Sequence, residues 1–167
     1  MTRLVLDASA DAELALNTTR ARSLPERFPP SAEWWVPEHY FVEAAGALRR
    51  AGLDSSATPP QVDRAFVMLE RAVLRRAEVR PLLADASNRR VTLTVADALY
   101  VVLAEHLGAT LVTFDERLAR SPGLTISTIT RSERSRAAQS GVRDVESAPA
   151  RPLRTTRRPA GRWAAVP

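Results

Sequence analysis

Thr94-Val-Ala-Asp97-Ala-Leu-Tyr100-Val-Val-Leu-Ala-Glu105-His-Leu-Gly108, followed by Ala109-Thr110-Leu-Val-Thr113-Phe-Asp115, reads as one helix passing directly into one strand. Thr94 is a good N-cap for a helix opening at Val95, and Gly108 can close it in the left-handed conformation that only glycine adopts without strain. About thirteen residues fit between them. Val95, Ala98, Leu99, Val102 and Leu103, joined by Ala96, Tyr100 and Leu107, cover most of the circumference, so the helix is expected to be buried on most sides. Thr110 to Phe114 is short, β-branched and apolar, which suits a buried parallel strand. The passage thus places Asp97 in a first helical turn and Asp115 at the carboxyl end of a strand, where ligand sites of open α/β sheets lie.

The chain around it has 167 residues, 45% of them hydrophobic, enough for one sizeable core. There is no signal-like apolar stretch at the start and no run approaching ~18 apolar residues, which predicts a cytoplasmic protein with no membrane association. With no cysteine, disulfides, thiolate catalysis and sulfur-ligated metals are excluded, and two histidines are too few for a histidine-rich metal site. All 24 basic residues are arginine. The absence of lysine disfavours a Walker phosphate loop, Schiff-base chemistry and a phosphotransfer receiver domain. Charge is also uneven: residues 131–167 hold 9 Arg and 3 acidic residues, net +6, whereas residues 1–130 hold 15 Arg and 16 acidic residues, net −1.

From the start of the chain, Arg3-Leu-Val-Leu-Asp7 reads as a strand ending in an aspartate. A helix is expected from the small residues Ala8, Ser9 and Ala10 to about Asn17. Asp7 by itself would be read equally well as the cap of that helix. Residues 18–33 read as a loop, and Trp34-Trp35-Val36 as a strand ended by Pro37. A helix is expected from Glu38 to Ala51, with Gly52 just past its end. Glu43 projects beside its apolar face, a position that also suits a glutamate reaching water or pairing with an arginine. The small residues Ala44, Ala45, Gly46 and Ala47 permit close helix approach. Thr58-Pro59-Pro60 opens a further helix to about Arg76, whose basic face either is solvated or holds phosphates. A strand is expected near Glu78–Pro81, a short helix over Leu82–Arg90, another at Arg117-Leu118, and an edge strand over Leu124–Ile129.

This alternation predicts an α/β fold of three layers, a mostly parallel central sheet flanked by helices, in one domain over residues 1–130. Residues 131–167, rich in Arg, Ser, Ala and Pro, have too few apolar residues to offset the entropy of ordering and are expected to form a disordered tail. That tail is read as a solvated appendage, with non-specific nucleic-acid binding as the other reading.

Asp7, Glu43, Asp97 and Asp115 all fall at strand ends or in the first halves of helices, which a parallel sheet with short loops brings toward one edge. Carboxylates about 4 Å apart repel by roughly 4 kcal/mol per pair at an effective dielectric near 20, so such a group needs shared protons or a bound cation. An all-oxygen donor set without Cys or His selects Mg²⁺, with Mn²⁺ as a substitute, and Mg²⁺ chemistry of this kind serves phosphodiester hydrolysis.

The stretches Leu4-Val-Leu-Asp-Ala-Ser9, Val36-Pro-Glu-His-Tyr-Phe-Val-Glu43 through Arg50, Thr94 to Glu105 and Leu111-Val-Thr-Phe-Asp-Glu-Arg-Leu-Ala119, in this order and at these separations, resemble the PIN-domain ribonucleases, specifically the VapC-type toxins of type II toxin-antitoxin pairs. The resemblance covers roughly residues 3–130. It implies a PIN-like fold and a Mg²⁺-dependent endoribonuclease that cleaves RNA phosphodiesters by metal-activated water. It further implies that Asp7, Glu43, Asp97 and Asp115 are the catalytic and metal-binding quartet, with Ser9 and Thr113 as supporting hydroxyls, and that the partners are an RNA substrate, a cognate antitoxin and a second copy in a homodimer. Asp11 and Glu13 interrupt a first helix that is nearly all apolar in the family, and the Arg-rich extension lies outside the pattern. A catalytically inactive PIN-like RNA- or protein-binding module is the alternative.

Overall fold

A computed structural model of the chain describes residues 2–19, 21–22 and 27–130, so the expected tail at 131–167 lies outside the described residues. Five strands, β1 (Arg3–Leu6), β2 (Glu33–Pro37), β3 (Arg75–Ala77), β4 (Thr110–Val112) and β5 (Thr128–Ile129), form one sheet in the order β3-β2-β1-β4-β5. Every pairing is parallel. The helices are α1 (Ala8–Ala15), α2 (Tyr40–Leu53), α3 (Pro59–Arg71), α4 (Leu83–Asn88), α5 (Val95–Leu107) and α6 (Glu116–Ala119), with a 3₁₀ turn over Arg80–Leu82 before α4.

The centre of the molecule is α5, which packs on β1, β2 and β4 as well as on α4. It is buried continuously from Ala98 to Ala104, as its unbroken apolar sequence requires. Thr94 caps it by accepting the Asp97 amide at 3.1 Å, and Gly108 ends it at φ 57°. On its outer side, Arg89 Nη2 holds both Glu105 oxygens at 2.7 and 2.9 Å, tying the end of α4 to α5. The helices α1, α2 and α3 form a separate pack. Among the described residues no helix is long and apolar enough to cross a membrane.

Several boundaries differ from the sequence reading. Instead of continuing to Arg76, α3 stops at Arg71, and the strand expected near 78–81 is displaced to Arg75–Ala77. The arginines of that strand looked like one more turn of basic helix, but Arg75 instead reaches Glu33 on β2 at 2.8 Å and lies over the Trp35 ring at 5.6 Å. Likewise, α2 starts at Tyr40 instead of Glu38 and runs through Gly52 to Leu53. Gly52 does not terminate it. A Cβ there would lie 3.3 Å from a Val62 methyl, so this glycine sets the approach of α3 to α2. The first helix ends two residues before Asn17, β4 stops at Val112, and the last expected strand shortens to Thr128–Ile129.

Candidate active site

Strand order places the site. The chain builds β2 and β3 on one side of β1 and then crosses to add β4 on the other, so the order of strand addition reverses between β1 and β4. Beyond this pair, register carries Asp7 up to Thr113: the Asp7 amide donates to the Val112 carbonyl at 2.9 Å. The Thr113 hydroxyl then donates to Asp7 Oδ2 at 2.6 Å, and the Ser9 hydroxyl donates to the same oxygen. Asp7 occupies the N-cap position of α1 but makes no side-chain cap bond; its carboxylate is committed to these two hydroxyls instead. Thr113 Oγ1 also accepts the Asp115 amide at 3.0 Å, and Ser9 Oγ accepts the Phe114 amide at 3.2 Å, so one hydroxyl network fixes both strand ends.

Asp115 is the N-cap of α6, its Oδ1 accepting the amides of Arg117 at 2.8 Å and Leu118 at 3.2 Å. That leaves Oδ2 to point elsewhere. The Arg117 guanidinium bridges it to α5: Nη2 lies 3.1 Å from Asp97 Oδ2 and 3.4 Å from Asp115 Oδ2. Glu43 enters from the first turn of α2. Its Oε2 accepts the Tyr100 hydroxyl at 2.6 Å and lies 3.3 Å from His39 Nε2. All four carboxylates open into one cavity of about 740 Å³ that continues between α1 and α2 over Ala12, Gly46 and Ala47. Arg50 also lines this cavity, its Nη1 lying 3.6 Å from where a Cβ on Gly46 would stand, an ordinary contact distance.

The environments divide the carboxylates. Burial pushes the Asp7 pKa above its ordinary value; the two hydroxyls pull it back down, and the charge of Glu43 pushes it up again. Burial also acts to raise Glu43, but the His39 and Tyr100 contacts, with the charges of His39 and Arg50, bring its pKa below the usual range. Tyr100 itself is pushed upward by burial and by its bond to Glu43, so it remains a phenol and a hydrogen-bond donor.

A family profile for the PIN domain matches residues 4–124. The chain belongs to the PIN domain family. Ribonuclease VapC3 of Mycobacterium tuberculosis is 39% identical over 120 residues, covering 71% of this chain and 87% of the relative. Ribonuclease VapC12 of the same organism is 38% identical over 120 residues, covering 72% and 92%. The solved VapC20 of M. tuberculosis, described as a sarcin-ricin loop cleaving toxin, superposes with a TM-score of 0.54 at 20% identity over 70% of this chain and 92% of that one. A toxin-antitoxin complex from Klebsiella pneumoniae gives 0.51 at 15% identity over 78% and 98%. At these identities the solved structures establish the PIN fold alone.

Within this PIN domain, all six residues singled out from the sequence lie at one end of the sheet: Asp7, Ser9 and Thr113 in mutual contact, Asp97 and Asp115 joined through Arg117, and Glu43 across the cavity. Among the described residues, no three His, Cys, Asp or Glu side chains stand close enough together to enclose an ion directly. The all-oxygen donor set still fits a hard cation such as Mg²⁺, which keeps several waters and takes only one or two carboxylates directly. Three contributors escaped the sequence reading. Tyr100 looked like core, although it lies one helical turn after Asp97; His39 precedes Glu43 by one turn; and Arg117 looked like part of a short helix only.

Proposed function

We propose that this protein is a metal-dependent endoribonuclease that serves as the toxin of a toxin-antitoxin pair. The observation that carries the proposal is the convergence of four carboxylates from separate elements, Asp7 after β1, Glu43 on α2, Asp97 on α5 and Asp115 after β4, on one cavity at the switch point of a PIN sheet. The names of the VapC ribonucleases it resembles at 38–39% identity support the same reading. Asp7, Asp97 and Asp115 are the residues that would hold Mg²⁺ or Mn²⁺, one or two directly and the rest through its waters, with Glu43 at the far side of the cavity. Bound there, the ion supplies Lewis acidity toward a phosphoryl oxygen and a water of lowered pKa. Asp97 and Asp115 present their Oδ2 atoms, and the Ser9 and Thr113 hydroxyls hold the Asp7 carboxylate in one orientation. Tyr100 and His39 keep Glu43 ionised and aimed, so that it orients a water by accepting a hydrogen bond from it. Arg50 and the small residues of α1 and α2 leave a groove for a single RNA strand.

The same groove suits a helical or extended antitoxin segment, with Val42, 77% exposed, at its edge. Exposed apolar side chains at Leu83 on α4 and at Val91 and Val95 around the start of α5 support a second copy of the chain as a further partner.

The direct test is cleavage of single-stranded RNA by the purified toxin. Product is expected with Mg²⁺ or Mn²⁺, is expected to vanish with a chelator, and is expected to return on adding metal. Intact RNA under all conditions with a folded, antitoxin-free protein would favour a binding module over an enzyme. A second expected result concerns stability, because an ion that binds only the folded chain stabilises it. Mn²⁺ at 100 times its dissociation constant adds about 2.7 kcal/mol, read as a rise in Tm that shrinks in Asp7→Asn or Asp115→Asn. A wild-type Tm indifferent to Mn²⁺ would count against the metal site.

A further inference from the structure

Arg117 is the one cation placed between two members of the quartet among the described ion pairs. Its Nη2 touches Asp97 on α5 and Asp115 after β4 at once, and both contacts are made to Oδ2 atoms of residues that line the cavity. The guanidinium thereby stands between the two carboxylates that a divalent ion would draw together. Its side chain is 65% exposed, so it can leave without disturbing the core. Its backbone stays where it is, because the Arg117 amide is fixed on Asp115 Oδ1 at 2.8 Å whatever the side chain does. A displaced Arg117 would therefore remain tethered at the rim of the site.

Resting on the nuclease reading above, we propose that Arg117 is a built-in counter-cation which the divalent metal must displace, and that the displaced guanidinium then binds a phosphate of the RNA strand. In the metal-free protein it neutralises Asp97 and Asp115, whose mutual repulsion would otherwise open the site. When an ion takes over that neutralisation, like charge expels the guanidinium toward solvent. The RNA backbone arrives there, and a planar, always-charged fork suits a phosphate. Metal loading and substrate affinity are coupled through one side chain: Arg117 opposes the first and, once released, supports the second.

Arg117→Gln and Arg117→Lys test this with two readouts that do not depend on turnover. By isothermal titration calorimetry without RNA, Arg117→Gln is expected to bind Mn²⁺ about tenfold more tightly than wild type, because one competing charge has gone. In saturating Ca²⁺, with RNA integrity checked on a gel, Arg117→Gln is expected to bind a short oligouridylate more weakly, with a salt slope smaller by about 0.7, the share of one phosphate contact. Arg117→Lys, which keeps the charge, is expected to regain most of that RNA affinity. Equal Mn²⁺ affinity in wild type and Arg117→Gln, both binding the ion, overturns the gate while leaving the nuclease reading standing. Tighter Mn²⁺ binding with unchanged RNA affinity and salt slope overturns the phosphate-binding role. No Mn²⁺ binding by either protein means that the metal site itself has failed.

Discussion

Asp97→Asn is expected to remove RNA cleavage while the protein remains folded and as stable as wild type to within about 1 kcal/mol. The helix does not depend on the charge of this residue. The α5 cap is made by the Asp97 backbone amide donating to Thr94, which an asparagine repeats. Its carboxylate makes one described polar contact, to the largely exposed Arg117, and exposed ion pairs contribute ~0–1 kcal/mol. The amide oxygen of Asn can still accept from that guanidinium. A neutral amide is a much poorer partner for Mg²⁺ than a carboxylate, and loss of a ligand that holds charge at the reacting phosphate costs about 10²-fold or more in rate. Single-turnover cleavage beside a urea unfolding curve checks both halves. Full activity in a folded Asp97→Asn protein would remove Asp97 from the site, and with it the main link between α5 and the chemistry.

How much of this was legible in the sequence follows from what each residue depends on. Thr94, Gly108 and the run between them specify α5 through local cap chemistry and an unbroken apolar pattern, and the helix lies at the limits those residues set. That Asp7, Glu43, Asp97 and Asp115 would approach one cavity was legible for a related reason: strand ends and helix starts can be read from local sequence, and a parallel sheet leaves few places for them to go. The strand at Arg75–Ala77 was not legible, because its stability comes from Glu33 and Trp35, about forty residues away in the chain. Gly52 carried a local meaning, helix termination, that the contact with Val62 overrides. Arg117 belongs to the same class. Nothing adjacent in sequence shows that its guanidinium reaches back to Asp97, since that depends on how close α5 and β4 bring their ends.

Asp11→Asn is expected to stabilise the protein at neutral pH by about 3 kcal/mol, and the gain is expected to disappear in acid. Asp11 departs from the apolar pattern of a family first helix, and α1 does not turn it outward: it is 0% exposed. Neither of its carboxylate oxygens has an aligned hydrogen bond, and neither has the buried hydroxyl of Tyr40, the polar group nearest in influence. Burial raises the Asp11 pKa to about 6, against the downward pull of the Tyr40 hydroxyl. Folding thus makes Asp11 hold a proton that the unfolded chain, at 3.8, has already released. The stability from this group is complete below about pH 4 and is lost as pH rises to about 6, after which the folded protein carries an ionised carboxylate buried beside the Tyr40 hydroxyl. A shift of roughly two pKa units corresponds to about 3 kcal/mol, or on the order of 10 °C in Tm for a domain of this size. Asn removes the ionisation and offers Tyr40 an amide partner of nearly the same shape. Asp7 and Glu43 also titrate, but they are common to both proteins, so the difference between wild type and variant isolates Asp11. Urea unfolding of the two proteins from pH 4 to 7.5 should give stabilities that nearly coincide at the acid end, separate between about pH 4 and 6, and stay a constant distance apart above that. A difference that does not change with pH, or a less stable variant at pH 7.5, would mean that Asp11 is satisfied in solution by a partner such as a buried water.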